Sequence, residues 1–517
     1  MVWKKEEPYI PEASKIRWET VPYTRGLGYD IGCGSEKVWP HAIGIDNRND
    51  VAMFGIPCNP DLTVPDACDL SRVTPSAQAD WVFSSHLLEH IVDYKKALRE
   101  WWRILKDGGY LTLYLPHKEL YPNIGQPGAN PDHKHDFLPL DIEWAMLDVG
   151  EKSGWDLLRN EARSGGNEYS FFQVYQKRTD GKFKYPHREP KPAKSAAIVR
   201  YGAFGDLIQA SSFLPGLKEQ GFHVTLYTTP RGWDVVKHDP HIDAVILQDT
   251  DQVPNAALPD FWAHEAQKYD RFINLSESVE GSWLALPGRT SHRWPINLRR
   301  KYMNVNYFEF AHDLAGVPMP PRPKFYATEE EKRWAKRERE SWGGDFAILF
   351  ALAGSSVHKV WPHMDGFMAR VLLERPDTRI VTVGDDISQL LEQGWENEPR
   401  VVRKSGKYSI RETLALLEVV DLVLGPETGV LNAAGHMEVP KIILLSHSSV
   451  ENLTKYWTNT AALQPRTSCH PCHLMHYSFD HCRRDDATGT AQCAADVTID
   501  DVWGAFVTLT QSVLEPA

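Results

Sequence analysis

Long apolar runs are missing from this 517-residue sequence. No stretch approaches the roughly 18 uncharged apolar residues of a membrane-crossing helix, so no integral membrane segment is expected. The opening residues, MVWKKEEPYIPEASK, carry charges and no apolar core, which argues against a secretory signal. Both absences point to a cytoplasmic location. Positive charge is short too: 57 Lys and Arg stand against 69 Asp and Glu, a formal net charge of −12. That balance supplies no broad attraction to phosphate backbones or anionic membranes, and it argues against nucleic acid as a partner. Cysteine is sparse, seven in all, as suits a reducing compartment. Short-period repeats and low-complexity tracts are also lacking.

What cysteine there is falls unevenly. Cys33, Cys58 and Cys68 are scattered, whereas Cys469, Cys472, Cys482 and Cys493 crowd together behind a CxxC pair, with His470, His473, His476 and His481 among them. Four thiols this close can bind structural zinc, pair as disulfides or simply pack; the second pair lacks the CxxC spacing of a zinc ribbon.

Hydrophobic content of 42% and charged content of 24% are ordinary for globular protein. At roughly 150 residues per domain, the length allows about three to four domains. Strand-like apolar runs alternate with amphipathic helical stretches almost throughout, the pattern of α/β architecture with parallel sheets. The clearest break is KRTDGKFKYPHREPKPAKS, rich in Lys, Arg and Pro and nearly without apolar periodicity. A second lies at GVPMPPRPKFYATEEE, where Thr328 and Glu331 make a capping box for a charged helix to Trp342. The expected division is 1–178, a linker at 179–194, then 195–330 and 331–517.

The first division opens with YDIGCGSE, a short strand running into Gly32-Cys33-Gly34, and a second strand, HAIGID, ends at Asp46. Glycines there let a ligand approach the backbone, and an acid ending the next strand can accept from both ribose hydroxyls. DACDL follows, then ADWVFSSHLLEHIVDYKKALREWWRILKDGGYLTLYLP, read as strand, helix, turn and strand. These residues resemble class I S-adenosylmethionine-dependent methyltransferases, in particular the type 11 domain. The resemblance implies a Rossmann-like fold in which Asp30, Gly32 and Gly34 form the cofactor loop, Asp46 holds the ribose and Asp69 stands beside the adenine. The Asn/Asp-Pro-Pro-aromatic signature of amino-directed DNA methyltransferases is absent, and Cys58 reads as structural. An oxygen acceptor needs a base, and His117, His133 and His135 follow the fifth strand, where the family builds its acceptor side.

A second strand, glycine turn and helix open at AAIVRYGAFGDLIQASSFLPGLKEQG. With FAILFALAGSSVHKVWP and SIRETLALLEVVDLVLGPETGVLNAAGHMEVPKIILL, it resembles glycosyltransferase family 9, the ADP-heptose:lipopolysaccharide heptosyltransferase family. That resemblance implies a GT-B architecture of two Rossmann-like halves, acceptor on the first and nucleoside-diphosphate sugar on the second, with inverting chemistry. Asp206 then aligns with the general base, its alternative being a plain helix N-cap. Lys359 would offset charge on the leaving diphosphate, its alternative being a solvated lysine. Thr428 and Gly429 would cradle the diphosphate at a helix N-terminus, and Asp385 or Asp386 would bind the donor ribose. Glu427 and Asn432 depart from the family's usual Asp and His, and Asn432 can donate a hydrogen bond but carry no charge.

The expected whole is a bifunctional, multidomain glycan-tailoring transferase. It would use S-adenosylmethionine and a nucleoside-diphosphate sugar, heptose-like, on a saccharide or glycolipid acceptor such as lipopolysaccharide. The alternatives are a ligand-binding scaffold with one or both catalytic units degenerate, and glycosyl or methyl modification of DNA bases.

Overall fold

The computed structural model describes residues 10–48, 57–186 and 192–514, so part of the expected linker lies outside the described residues. The chain divides into two compact units. One is Met1–Lys191 with Gln248–Lys268, and the other is Pro192–Leu247 with Tyr269–Ala517.

The first unit is built on one eight-stranded sheet. Its strands are β1 (Gly28–Ile31), β2 (Ile43–Asp46), β3 (Leu62–Thr63), β4 (Ala79–Ser85), β5 (Leu105–Pro116), β6 (Trp155–Arg163), β7 (Ser170–Lys177) and β8 (Phe183–Lys184), in the order 3-2-1-4-5-7-6-8. β1 to β5 run parallel, and β7 enters antiparallel between β5 and β6. Asp30 of β1 registers with Gly44 on one side and Phe83 on the other, so β1 stands centrally and three loops leave the same sheet edge. The expected turn at Lys106–Gly109 lies inside β5, with a register shift against β4 and Gly108 at φ +79°.

The helix Tyr94–Ile104 shows how sequence makes this packing. Asp93 caps it, accepting from the Lys96 N–H at 3.0 Å. Ala97, Leu98, Trp101, Trp102 and Ile104 then fall on one face and are buried against the sheet. Burial of a side chain the size of Leu98 contributes about 1.5–3 kcal/mol. The segment 248–268 carries the helix Leu258–Ala266. Its Phe261 ring packs on Trp18 at 5.7 Å, Asp249 pairs with Arg25 at 2.9 Å, and His264 and Lys268 converge on Glu19. Against the burial that would raise it, His264, Lys268 and Arg159 hold the Glu19 carboxyl well below the usual range.

The second unit contains two parallel sheets. β9 (Ser195–Val199), β10 (His223–Thr228), β11 (Ala244–Leu247) and β12 (Arg271–Asn274) assemble in the order 11-10-9-12. β13 (Phe346–Ala351), β14 (Thr378–Val383), β15 (Val401–Arg403), β16 (Leu422–Pro426), β17 (Lys441–Leu444) and β18 (Thr460–Leu463) assemble in the order 15-14-13-16-17-18. β9 and β13, the strands opening each half, are central, as in a Rossmann-like unit. The run Leu207–Leu214 is not one helix: Phe204–Ala210 is α-helical, Ser211–Phe213 is a 3-10 turn, and Leu214–Glu219 resumes. The helix Glu329–Trp342 begins at the expected capping box, with Thr328 accepting from Glu331 and Glu331 from Thr328.

Candidate active sites

At the end of β1, Gly32 and Gly34 take φ +78° and +54°, the left-handed region that glycine enters freely. A side chain at Gly32 would run into Leu87. At Gly34 nothing among the described residues lies within 4 Å of where a Cβ would stand, so they leave open space there. Asp46 accepts from the Gly34 N–H at 3.0 Å with one carboxylate oxygen and from the Asn47 N–H at 2.8 Å with the other. Asp30 is buried and accepts from the Val38 N–H at 2.6 Å, tying the far end of the loop to β1; burial pushes its carboxyl up to about 7. Cys58 lies beneath the loop, its thiol 3.1 Å from the Gly34 carbonyl. Asp69 is exposed and bonds within its own turn, where Ser71 holds its carboxyl below the usual range. Gly34 and Asp46 are thus in contact, with Asp30 as a brace.

The three candidate histidines do not share one site. The His117 ring nitrogen Nδ1 accepts from the Glu119 N–H at 3.1 Å, and its ring packs edge-on to Phe171. The His135 ring bonds the Val92 carbonyl at 3.1 Å and stacks on Phe137. His133 alone enters a polar cluster, with Glu89 and His90. Sequence reasoning passed over those two, although HLLEH places three such groups within five residues.

In the second unit, all eight candidate residues line one cleft of about 970 Å³. Asp206 is not the helix N-cap; that is Ala203, and Asp206 stands three residues in, its carboxylate accepting from the Ala203 N–H at 3.1 Å. The same oxygen pairs with Arg200 at 2.7 Å. Arg200 is buried, and a second guanidinium nitrogen donates to the Leu275 carbonyl at 2.8 Å. This ion pair was missed from sequence, though Arg200 directly follows the strand that opens the half. Gly202 makes room for it: a Cβ there would stand 2.5 Å from the Asp206 carboxylate.

Lys359 is not a solvated lysine. It is buried, and burial lowers its ammonium while Glu427 and Asp206 oppose that shift. Gly354 provides its space, since a Cβ there would meet the lysine chain at 2.6 Å. Glu427 faces inward, accepting from the Ser448 N–H at 2.9 Å and the Ser446 hydroxyl at 2.6 Å, so it braces the loop after β17. Thr428 caps the helix Gly429–Ala434. This helix packs tightly on Phe204–Ala210: a Cβ on Gly429 would stand 3.2 Å from the Gly205 nitrogen, and one on Gly205 would strike Asn432. The Asn432 side-chain amide oxygen, Oδ1, is buried with no hydrogen-bond partner among the described residues. Asp385 is turned onto Ser388 at 2.8 Å, while Asp386 lies exposed beside Gly406.

The four C-terminal cysteines stand as free thiols in this structure. Burial pushes Cys472 up to about 12 and Cys482 up to about 11, keeping both protonated at neutral pH. Among the described residues, the groups of three metal-ligating side chains with close donor atoms are Glu89–His90–His133 and His358–Glu427–His447; neither includes a cysteine.

A glycine loop above one mixed sheet and a carboxylate–lysine cleft between two parallel ones define a group-transfer enzyme with two sites. Residues 29–113 match the family model for a methyltransferase domain, and 263–482 match that for glycosyltransferase family 9 (heptosyltransferase). The chain is therefore a transferase that joins a methyltransferase domain to a glycosyltransferase family 9 domain. Its general activities are methylation and glycosyl transfer.

No curated protein sequence matches the chain. Among solved structures, it is similar to a glycosyl transferase family 9 protein from Veillonella parvula, at 18% identity over 63% of this chain and 100% of that one, with a TM-score of 0.47. The E. coli ADP-heptose LPS heptosyltransferase II matches at 14% identity over 62% of this chain and 100% of that one, with a TM-score of 0.43. A SAM-dependent methyltransferase from Archaeoglobus fulgidus matches at 16% identity over 32% of this chain and 92% of that one, with a TM-score of 0.23. No helix is long and apolar enough to cross a membrane among the described residues.

Proposed function

We propose that the protein tailors a glycan. Its second unit moves a heptose-like sugar from a nucleoside-diphosphate donor onto a saccharide acceptor with inversion, and its first moves a methyl group from S-adenosylmethionine onto an acceptor oxygen. The observation that carries the sugar-transfer reading is the meeting of the Arg200–Asp206 pair and buried Lys359 in one cleft. Asp206 takes the acceptor hydroxyl's proton. A carboxylate suffices for this, because proton transfer becomes downhill as oxygen bonds to the anomeric carbon. That bond forms from the face opposite the departing diphosphate, whose growing charge Lys359 offsets from a site shielded from water. The Thr428–Gly429 turn offers backbone N–H groups to the same diphosphate, and Asp386, less engaged than Asp385, takes the donor ribose. The heptosyltransferase description of the family model supports a heptose-like donor, and lipopolysaccharide is the leading acceptor on the resemblance drawn from the sequence.

In the first unit, the open space at Gly34 and the carboxylate of Asp46 fit S-adenosylmethionine, which when bound supplies a methyl group activated on a sulfonium. Gly34 lets the backbone approach it and Asp46 orients its ribose.

The deciding test is sugar transfer from ADP-, GDP- and UDP-sugars to a truncated lipopolysaccharide acceptor, with wild-type protein and Asp206→Asn. Transfer by the wild type from one donor class, lost in the variant while nucleotide binding persists, supports the reading. Hydrolysis or transfer unaffected by the substitution removes Asp206 from the role.

A further inference from the structure

Beside the glycine loop, the first unit holds a polar cluster that neither transfer reaction accounts for. Glu89 is 0% exposed, and neither carboxylate oxygen has a hydrogen-bond partner among the described residues. A buried carboxylate left in that state is rare, because losing water without gaining a partner is strongly unfavourable. Three imidazole nitrogens surround one of its oxygens: His86 Nδ1 at 3.8 Å, His90 Nε2 at 3.9 Å and His133 Nε2 at 3.9 Å. These separations are too long for hydrogen bonds. They approach the spacing of ligand atoms on a shared ion, roughly 3–4 Å for bonds of about 2.0–2.2 Å. The donor atoms of Glu89, His90 and His133 all lie within 4.8 Å of one another.

The surroundings hold these groups in place. The Glu89 carbonyl accepts from the Lys134 and His135 N–H groups at 2.7 and 3.2 Å, clamping the loop that carries His133. The His90 ring bonds the Asp132 backbone, the kind of outer partner that orients a metal-binding imidazole. The His90 and His133 rings meet edge to face at 4.8 Å, and Tyr121 covers His133 at 5.3 Å. His86 sits in the left-handed region at φ +50°, its Nε2 on the Ser170 hydroxyl at 2.9 Å and its Nδ1 turned toward Glu89.

We propose that Glu89, His90 and His133 bind one divalent first-row transition-metal ion, with His86 beside them. Two imidazoles and a carboxylate suit Mn²⁺, Fe²⁺ or Zn²⁺ and leave coordination positions open. Leu87, two residues before Glu89, occupies the space a side chain on Gly32 would need, so the ion stands next to the cofactor loop. Its role rests on the methyltransferase reading: there the open positions can take an acceptor oxygen beside the methyl donor.

The test uses the full chain stripped with chelator and titrated with Mn²⁺, free ion being followed by electron paramagnetic resonance. Wild-type protein, Glu89→Gln and His133→Ala are compared, with circular dichroism and S-adenosylhomocysteine binding as controls for folding. The expected result is one Mn²⁺ equivalent that disappears, or weakens at least about tenfold, in both variants, and that Zn²⁺ displaces from the wild type. Equal stoichiometry and affinity in all three proteins overturns the proposal, as does the absence of Mn²⁺ and Zn²⁺ binding by folded wild type. S-adenosylhomocysteine binding by the wild type tests the methyltransferase reading separately, since the metal titration does not depend on it.

Discussion

Two residues show how much chemistry turns on single positions. Asp206 serves its helix, through the Ala203 N–H, and the cleft, through its pairing with Arg200. Asp206→Asn keeps the shape and removes the base, so sugar transfer should fall by about 10²–10⁴-fold while nucleotide affinity stays near wild type. Steady-state kinetics beside a nucleotide titration separates the two. Gly34 is the complementary case, a position defined by the space around it. Gly34→Leu should cost about 1–2 kcal/mol from the left-handed backbone and at least tenfold in S-adenosylhomocysteine affinity by calorimetry. An unchanged affinity would move the cofactor away from this loop. The glycine and the aspartate were both legible in sequence because each sits in a motif. Arg200, Glu89 and His90 were not, since their importance comes from partners brought by folding.

At the scale of elements, the helix Glu329–Trp342 was legible to its first residue, because a capping box is a local device that satisfies its own N–H groups. What that helix docks against was not. Arg411, from the helix Ile410–Leu416, reaches Glu331 with two nitrogens at 2.6 and 2.8 Å and donates to the carbonyls of Asp234, Val235 and Tyr326. Arg411 is 4% exposed, so Arg411→Met leaves buried acceptors unpaired and should remove about 3–5 kcal/mol of stability in urea unfolding. Burial works to raise the Glu331 carboxyl, but Arg411 and the Thr328 N–H draw it from 4.5 down to about 2. The stability this gives is present above about pH 4.5 and is lost as pH falls toward 2. Glu331→Gln should therefore flatten that part of the acid-unfolding curve; an unchanged slope would show that the pair is not linked to folding. Gly429 makes the same point: its motif named it for a diphosphate, and the fold also uses it, together with Gly205, for close helix packing.

Over the whole molecule, two compact units carry two sites of different chemistry. S-adenosylhomocysteine and the matching nucleoside diphosphate should each raise thermal stability on their own. At about a hundred times the dissociation constant, each shift should correspond to roughly 2.7 kcal/mol. A response to one ligand alone, in folded protein, would mark the other unit as inactive toward its cofactor. The repeated order of strand, glycine turn and helix, the acids at strand ends and the capping boxes are local, so sequence alone determined the α/β architecture, and the resemblance of its motifs to two known families gave both transferase classes. The tertiary structure decided what contacts between distant segments decide. It buried Lys359, set Arg200 on Asp206, tied Glu427 to the loop after β17 and gathered three histidines around Glu89. Burial and charge pairing depend on which residues meet in space, and neither spacing nor composition records that.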